Sequence, residues 1–187
     1  MSVSAVLLAG GESRRMGRDK ATLVFNGKPL WQRQLGLLSN LQPQELFLSA
    51  RIDPVWRPAD VHFVADTAPS RGPLSGIATT LRGVRTNHLL VLAIDMPLMV
   101  ENFLVSLCRR SEPGCGVIPV IGDRTEPLAA IYPKEADSDF TAAVSGPDFS
   151  LQSLAQELIT AGKLRVLRVS RDEENYFRNF NEPRDLI

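Results

Sequence analysis

Apolar runs of strand length punctuate the chain at Val3–Leu8, Glu45–Ala50, Val61–Ala65 and His88–Ile94. These runs are apolar nearly throughout rather than alternating, the pattern of parallel strands covered on both faces. Between them the spacing changes. Leu30, Trp31, Gln34, Leu35, Leu38 and Leu41 recur at helical intervals, which predicts an amphipathic helix. Leu74, Ile77, Ala78 and Leu81 repeat the pattern just after Gly72-Pro73, where a proline suits the first helical turn. Strand and helix in alternation predict an α/β fold with a mostly parallel, doubly wound sheet between two helical layers, a three-layer αβα arrangement.

The second half is less regular. Phe103, Leu104 and Leu107 suggest a helix, and Cys115–Ile121 and Leu128–Tyr132 suggest strands. A helix from Ser150 to about Ala161 places Leu151, Leu154, Ala155 and Leu158 on one face and stops at Gly162. Leu164–Val169 is a further strand. No linker-like stretch interrupts the chain, so residues 1–187 are expected to form one domain.

Composition narrows the function classes. A formal net charge of zero argues against a general nucleic-acid or membrane-surface binder. No apolar run reaches the length of a membrane-spanning helix. The start Met1-Ser-Val-Ser does not resemble a signal peptide, so a cytoplasmic protein with Cys108 and Cys115 as reduced thiols is expected. His62 and His88 each flank an apolar run and read as strand-edge residues without a catalytic role.

The candidate chemistry begins where the first strand ends. Leu8-Ala-Gly-Gly-Glu-Ser-Arg-Arg-Met-Gly-Arg-Asp-Lys20 joins glycines to Arg14, Arg15, Arg18 and Lys20. Glycines let backbone N–H groups approach an anion, and the cations neutralise it, so this loop is expected to grip phosphate. It is neither a Walker loop nor a dinucleotide fingerprint, because Lys20 precedes Ala21 and no G-x-G-x-x-G follows the strand. The run Leu89–Ile94 ends in Asp95-Met96-Pro97. An aspartate at that strand end opens onto the same sheet edge as the glycine loop. Beside a bound phosphate it would be repelled unless a cation intervened, and magnesium, which takes one or two carboxylates plus phosphate oxygens, is the natural bridge. Asp66 closes another strand and is balanced between a site role and a turn role.

The loop from Leu8 to Lys20 closely resembles the signature L-A-G-G-x-S-x-R-M-G-x-D-K of the molybdenum cofactor guanylyltransferases, nucleotidyltransferases with a glycosyltransferase-A-like, nucleotide-diphospho-sugar-transferase-like fold. The likeness continues through Asn26-Gly-Lys-Pro-Leu30, Gly72-Pro-Leu-Ser-Gly-Ile77, Asp95-Met-Pro97, Glu126-Pro-Leu128 and the closing Phe177–Leu186. The resemblance implies guanylyl transfer from GTP to the phosphate of molybdopterin with release of pyrophosphate and with Mg2+ as cofactor. It implies that Leu8, Ala9 and Gly10 border the nucleotide, that Gly11, Ser13 and Arg15 shape the triphosphate loop, and that Lys20 counters charge in the transition state. It further implies Asp95 as metal ligand, Asp66 as a base- or ribose-side contact, and Asn179 and Asn181 near the acceptor. Transient contact with cofactor-delivery proteins or molybdoenzymes is also implied.

The chain departs from the family pattern at two places. Ser49 stands where the family often has asparagine, at the nucleoside contact, and residues 145–152 carry an acid and no Arg or Lys where the family usually has basic residues. Two other readings stay open: a related nucleotidyltransferase using CTP or another phosphate-bearing acceptor, and a nucleotide-binding adaptor without catalysis. Intact Lys20 and Asp95 argue against the adaptor.

Overall fold

The computed structural model describes residues 2–10, 19–66 and 70–180. In chain order the strands are β1 Val3–Leu8, β2 Val24–Phe25, β3 Lys28–Pro29, β4 Glu45–Ala50, β5 His62–Ala65, β6 His88–Ala93, β7 Gly116–Ile121, β8 Arg124–Thr125, β9 Ala129–Pro133 and β10 Leu164–Arg168. The helices are α1 Leu30–Asn40, α2 Pro73–Gly83, α3 Glu101–Arg110, α4 Asp137–Ser145 and α5 Leu151–Thr160.

The main sheet runs β10-β7-β9-β6-β1-β4-β5, with β8 paired to β7. β1 lies parallel to both β4 and β6, and β5 and β10 extend the parallel set. β9 alone on this path is antiparallel to its neighbours β6 and β7, which makes the sheet mixed. Apolar runs carry no direction, so this reversal is invisible in the hydrophobic pattern.

Strand geometry divides the core into two layers, because successive side chains face opposite sides. Val3, Ala5, Leu7, Leu90 and Leu92 pack with α1 and α3. Val6, Leu8, Leu89, Val91 and Ala130 pack with α2, α4 and α5. The expected helical stripes match the buried sets, with Leu30, Gln34, Leu35 and Leu38 inside on α1 and Leu154, Ala155 and Leu158 inside on α5. Pro73 occupies the first turn of α2 as anticipated. α4 was not evident in the pattern, since Phe140 is its one buried residue. A small hairpin, β2–β3, precedes α1 and turns through Asn26 and Gly27 with φ of 49° and 76°, the positive values a two-residue turn of this kind requires.

His62 and His88 open β5 and β6 at the sheet edge opposite the strand ends that carry the candidate chemistry. His88 Nε2 is 2.9 Å from the Glu112 carbonyl, a structural anchor. Cys108 and Cys115 are free thiols, and burial pushes the Cys108 thiol up to about 11. Among the described residues no helix is long and apolar enough to cross a membrane.

Gly116 marks the tightest backbone approach in the sheet, where a side-chain carbon would strike the Ile131 carbonyl. Gly116→Ala is expected to destabilise the protein by about 1–3 kcal/mol through overpacking, read as a lower urea midpoint at unchanged slope.

Candidate functional site

β1 has β4 on one side and β6 on the other. The chain leaves this central strand at the point where connections diverge, the crevice in which open α/β sheets bind ligands. The ladder continues one step past the strand. Ala9 N–H donates to the Ser49 carbonyl at 2.9 Å, and Ile94 N–H donates to the Leu8 carbonyl at 3.0 Å. Ala9 and Gly10 are thereby delivered to the sheet edge in a fixed register. A pocket of about 100 Å³ opens there, lined by Leu8, Ala9, Gly10, Lys20, Pro73 and Asp95, among others. At Gly10 a Cβ would sit 2.9 Å from Asp66 Oδ2, so a glycine is what lets the first strand end pass beside that carboxylate.

On the β6 side, Asp95 meets Lys20. Lys20 Nζ donates to Asp95 Oδ2 at 3.1 Å, and both side chains are largely shielded, at 16% and 22% exposure. The other carboxylate oxygen, Asp95 Oδ1, is buried and has no hydrogen-bond partner among the described residues. A buried anionic oxygen without a donor is costly, and a hard divalent cation is the kind of ligand such an oxygen accepts. Among the described residues no group of three His, Cys, Asp or Glu side chains surrounds it. The donor set therefore suits an ion that takes one carboxylate and completes its shell with substrate oxygens and water, the habit of magnesium.

On the β4 and β5 side, Ser49 Oγ donates to Asp66 Oδ1 at 3.0 Å, and Asp66 N–H donates to the Ala50 carbonyl at 3.1 Å. Ser49 is fully buried, and its hydroxyl steadies the carboxylate that lies against Gly10. Glu126 lies in the segment that leads to Leu128 on the pocket wall. Burial raises its carboxyl pKa above the usual range, partly offset by Arg124.

The turn that carries Asp95 is held from outside the strand. Arg33 Nε donates to the Pro97 carbonyl at 2.6 Å, and Gln34 Nε2 donates to the Met96 carbonyl at 2.8 Å, both from α1. Phe180 N–H donates to the Asp95 carbonyl at 2.8 Å. The Phe180 ring meets the Phe25 ring edge-on, with centroids 5.1 Å apart. The closing segment thus returns to the site, with Asn179 exposed at its margin.

Of the sequence-predicted site residues, Leu8, Ala9, Gly10, Lys20 and Asp95 share the pocket, and Ser49 and Asp66 pair beside Gly10. Gly11, Ser13, Arg15 and Asn181 lie outside the described residues. Sequence reasoning missed Arg33 and Gln34 as supports of the aspartate turn. The signal for Gln34 was its place on an otherwise apolar stripe, where a buried amide needs partners. It also assigned no role to Asp19, whose Oδ1 accepts from Ala21 N–H at 3.0 Å and caps a 3-10 turn over Lys20–Thr22.

Comparison with known proteins bears on the family and the fold. Residues 5–161 match the model of the MobA-like NTP transferase domain. A protein of Opitutus terrae named "Probable molybdenum cofactor guanylyltransferase" is 33% identical over 187 residues, covering 98% of this chain and 93% of its own. The molybdenum cofactor guanylyltransferase of Cereibacter sphaeroides is 31% identical, over 100% of this chain and 94% of its own. Among solved structures, molybdopterin-guanine dinucleotide biosynthesis protein A of Archaeoglobus fulgidus superposes with a TM-score of 0.80 at 25% identity, covering 98% of this chain and 94% of that one. The chain is a nucleotidyltransferase and belongs to the molybdenum cofactor guanylyltransferase family, within the MobA-like NTP transferases.

Proposed function

We propose that the protein transfers a guanylyl group from GTP to the terminal phosphate of molybdopterin, releasing pyrophosphate, with Mg2+ bound at Asp95. The observation that carries the site assignment is the shielded Lys20–Asp95 pair with its orphaned Oδ1, set at the mouth of the Ala9–Gly10 pocket. The base and the acceptor rest on the relatives, which are named for guanylyl transfer in molybdenum cofactor synthesis.

In this reaction an oxygen of the acceptor phosphate forms a bond to the α-phosphorus of GTP, and the bond from that phosphorus to the bridging oxygen of the β-phosphate breaks. The nucleophile is already an anion, so the protein has little proton transfer to perform. Its work is to neutralise charge and hold the groups in line. Asp95 would hold the magnesium, which when bound supplies Lewis-acid neutralisation of phosphate oxygens. Lys20, held beside Asp95, would direct its ammonium to the triphosphate. Leu8, Ala9 and Gly10 would present backbone along the nucleotide, and the resemblance assigns the rest of the phosphate grip to Gly11, Ser13 and Arg15. Asp66, steadied by Ser49, would take the nucleoside side. Asn179, next to the Phe180 anchor on the Asp95 turn, would meet the acceptor, and the resemblance assigns Asn181 the same part.

Three measurements test this reading. Pyrophosphate release is expected with GTP, magnesium and molybdopterin together, and with no component omitted; a preference for CTP would overturn the guanylyl assignment. Asp95→Ala is expected to remove magnesium-dependent turnover while the far-ultraviolet circular dichroism stays that of the parent. A near-parental rate would overturn the metal assignment. Lys20→Ala is expected to lower kcat by about 100-fold or more, as loss of an electrostatic transition-state donor does, with a much smaller loss of GTP affinity. Equal losses in both would reduce Lys20 to a binding residue.

A further inference from the structure

We infer that Trp56 is a positioning residue for nucleotidyl transfer, acting through Asp19 to fix the turn that presents Lys20 to Asp95. The inference rests on the role of Lys20 proposed above. Trp56 lies in the stretch between β4 and β5, outside every motif that marks the family in this sequence.

The contacts form an unbroken path. Trp56 Nε1–H donates to Asp19 Oδ2 at 3.0 Å. Asp19 Oδ1 accepts from Ala21 N–H at 3.0 Å. The Asp19 carbonyl accepts from Thr22 N–H at 3.0 Å and from Thr22 Oγ1 at 2.8 Å. Asp19 is therefore bound through three oxygens, and the 3-10 turn that follows it starts with Lys20, whose ammonium is 3.1 Å from Asp95 Oδ2. Ala21, between these anchors, is buried.

The indole is itself held. Trp56 stacks on Trp31 with centroids 5.3 Å apart and planes inclined by 17°. Trp31 belongs to α1, the helix whose Arg33 and Gln34 donate to the carbonyls of Pro97 and Met96. One helix thus holds both halves of the pair. It reaches Asp95 through Arg33 and Gln34, and it reaches Lys20 through Trp31, Trp56 and Asp19. A role for the indole N–H beyond simple burial follows from the chemistry of Asp19. An aspartate adjoining the lysine could pair with it or repel a bound phosphate. Two N–H donors, one on each carboxylate oxygen, turn that charge aside. Trp56 and Asp19 also wall a pocket of about 160 Å³ with Ala9, Gly10 and Arg51, so the path runs along the glycine-bearing strand end itself.

A misplaced lysine lowers the rate without emptying the site, because positioning errors of about an ångström can cost on the order of 100-fold. The decisive experiment is a double-mutant cycle of Trp56→Phe with Lys20→Ala, read as kcat and KM for pyrophosphate release. Phenylalanine keeps a ring against Trp31 and removes the N–H. Alone, Trp56→Phe is expected to lower kcat about tenfold, the scale of a lost hydrogen bond to a charged group, with KM for the nucleotide nearly unchanged. In the Lys20→Ala background the same substitution is expected to change kcat by less than about twofold, since coupled residues are non-additive. Asp19→Asn, which keeps a capping oxygen but sets an amide against the indole, is expected to reproduce the Trp56→Phe loss and to add little to it.

A tenfold loss that persists in the Lys20→Ala background, or a parental kcat for Trp56→Phe, would overturn the inference. So would a loss that falls on KM instead. The cycle is read with whichever nucleoside triphosphate the parent uses. A change of base would therefore overturn the guanylyl reading and leave the role of Trp56 to be decided by the cycle.

Discussion

An ammonium and a carboxylate, shielded together at the carboxyl ends of the parallel strands, organise this molecule's functional end. Lys20 comes from the segment after β1 and Asp95 from the end of β6, so the pair spans adjacent strands whose carboxyl ends face the same crevice. Neither group is deeply sequestered, yet both are withdrawn enough that solvent screens them less than it would a surface pair. Once that pair is required, much else follows. The ladder must carry Ala9 and Gly10 to the same edge, Gly10 must lack a side chain to clear Asp66, and the Met96–Pro97 turn must be gripped from α1.

The division of labour across β1 follows from topology. On the β6 side lie the paired charges and an oxygen that suits a cation. On the β4 and β5 side lie Ser49 and Asp66, the latter a carboxylate whose Oδ1 accepts from the Ser49 hydroxyl and whose Oδ2 accepts from the Ser70 hydroxyl. A nucleotide is itself asymmetric, with a densely anionic end and a planar end rich in hydrogen-bonding groups. A strand flanked by two parallel neighbours, entered by crossovers of opposite direction, offers two chemically different walls within one short span. That is the physical reason an open α/β sheet suits nucleotidyl transfer.

Much of this was legible in the amino-acid sequence, for identifiable reasons. β1, β4 and β6 are nearly continuous apolar runs because both faces are covered, and their ends are marked by Gly10, Arg51 and Asp95, where the apolar run gives way to glycine or charge. α1, α2, α3 and α5 each bury a periodic stripe. What escaped notice lacked such a signature. α4 buries little beyond Phe140, and the reversed direction of β9 leaves no trace in hydropathy. The Ser49–Asp66 bond depends on which strands are neighbours, and the Trp56–Asp19 bond joins residues brought together only by the fold. Gln34 could have been read as an exception on its stripe, but its partners could not have been named without the turn at Met96.

The mounting of both charges on α1 has a consequence for behaviour on warming. That helix is one of five among the described residues, and it touches the sheet through Leu30, Leu35 and Leu38 while the rest of the core lies elsewhere. Local openings of a fold cost less than melting all of it. Loosening α1 alone would let the ammonium and the carboxylate drift independently while the sheet stayed intact. Competence would then fade on heating over a range in which the bulk of the secondary structure still stands.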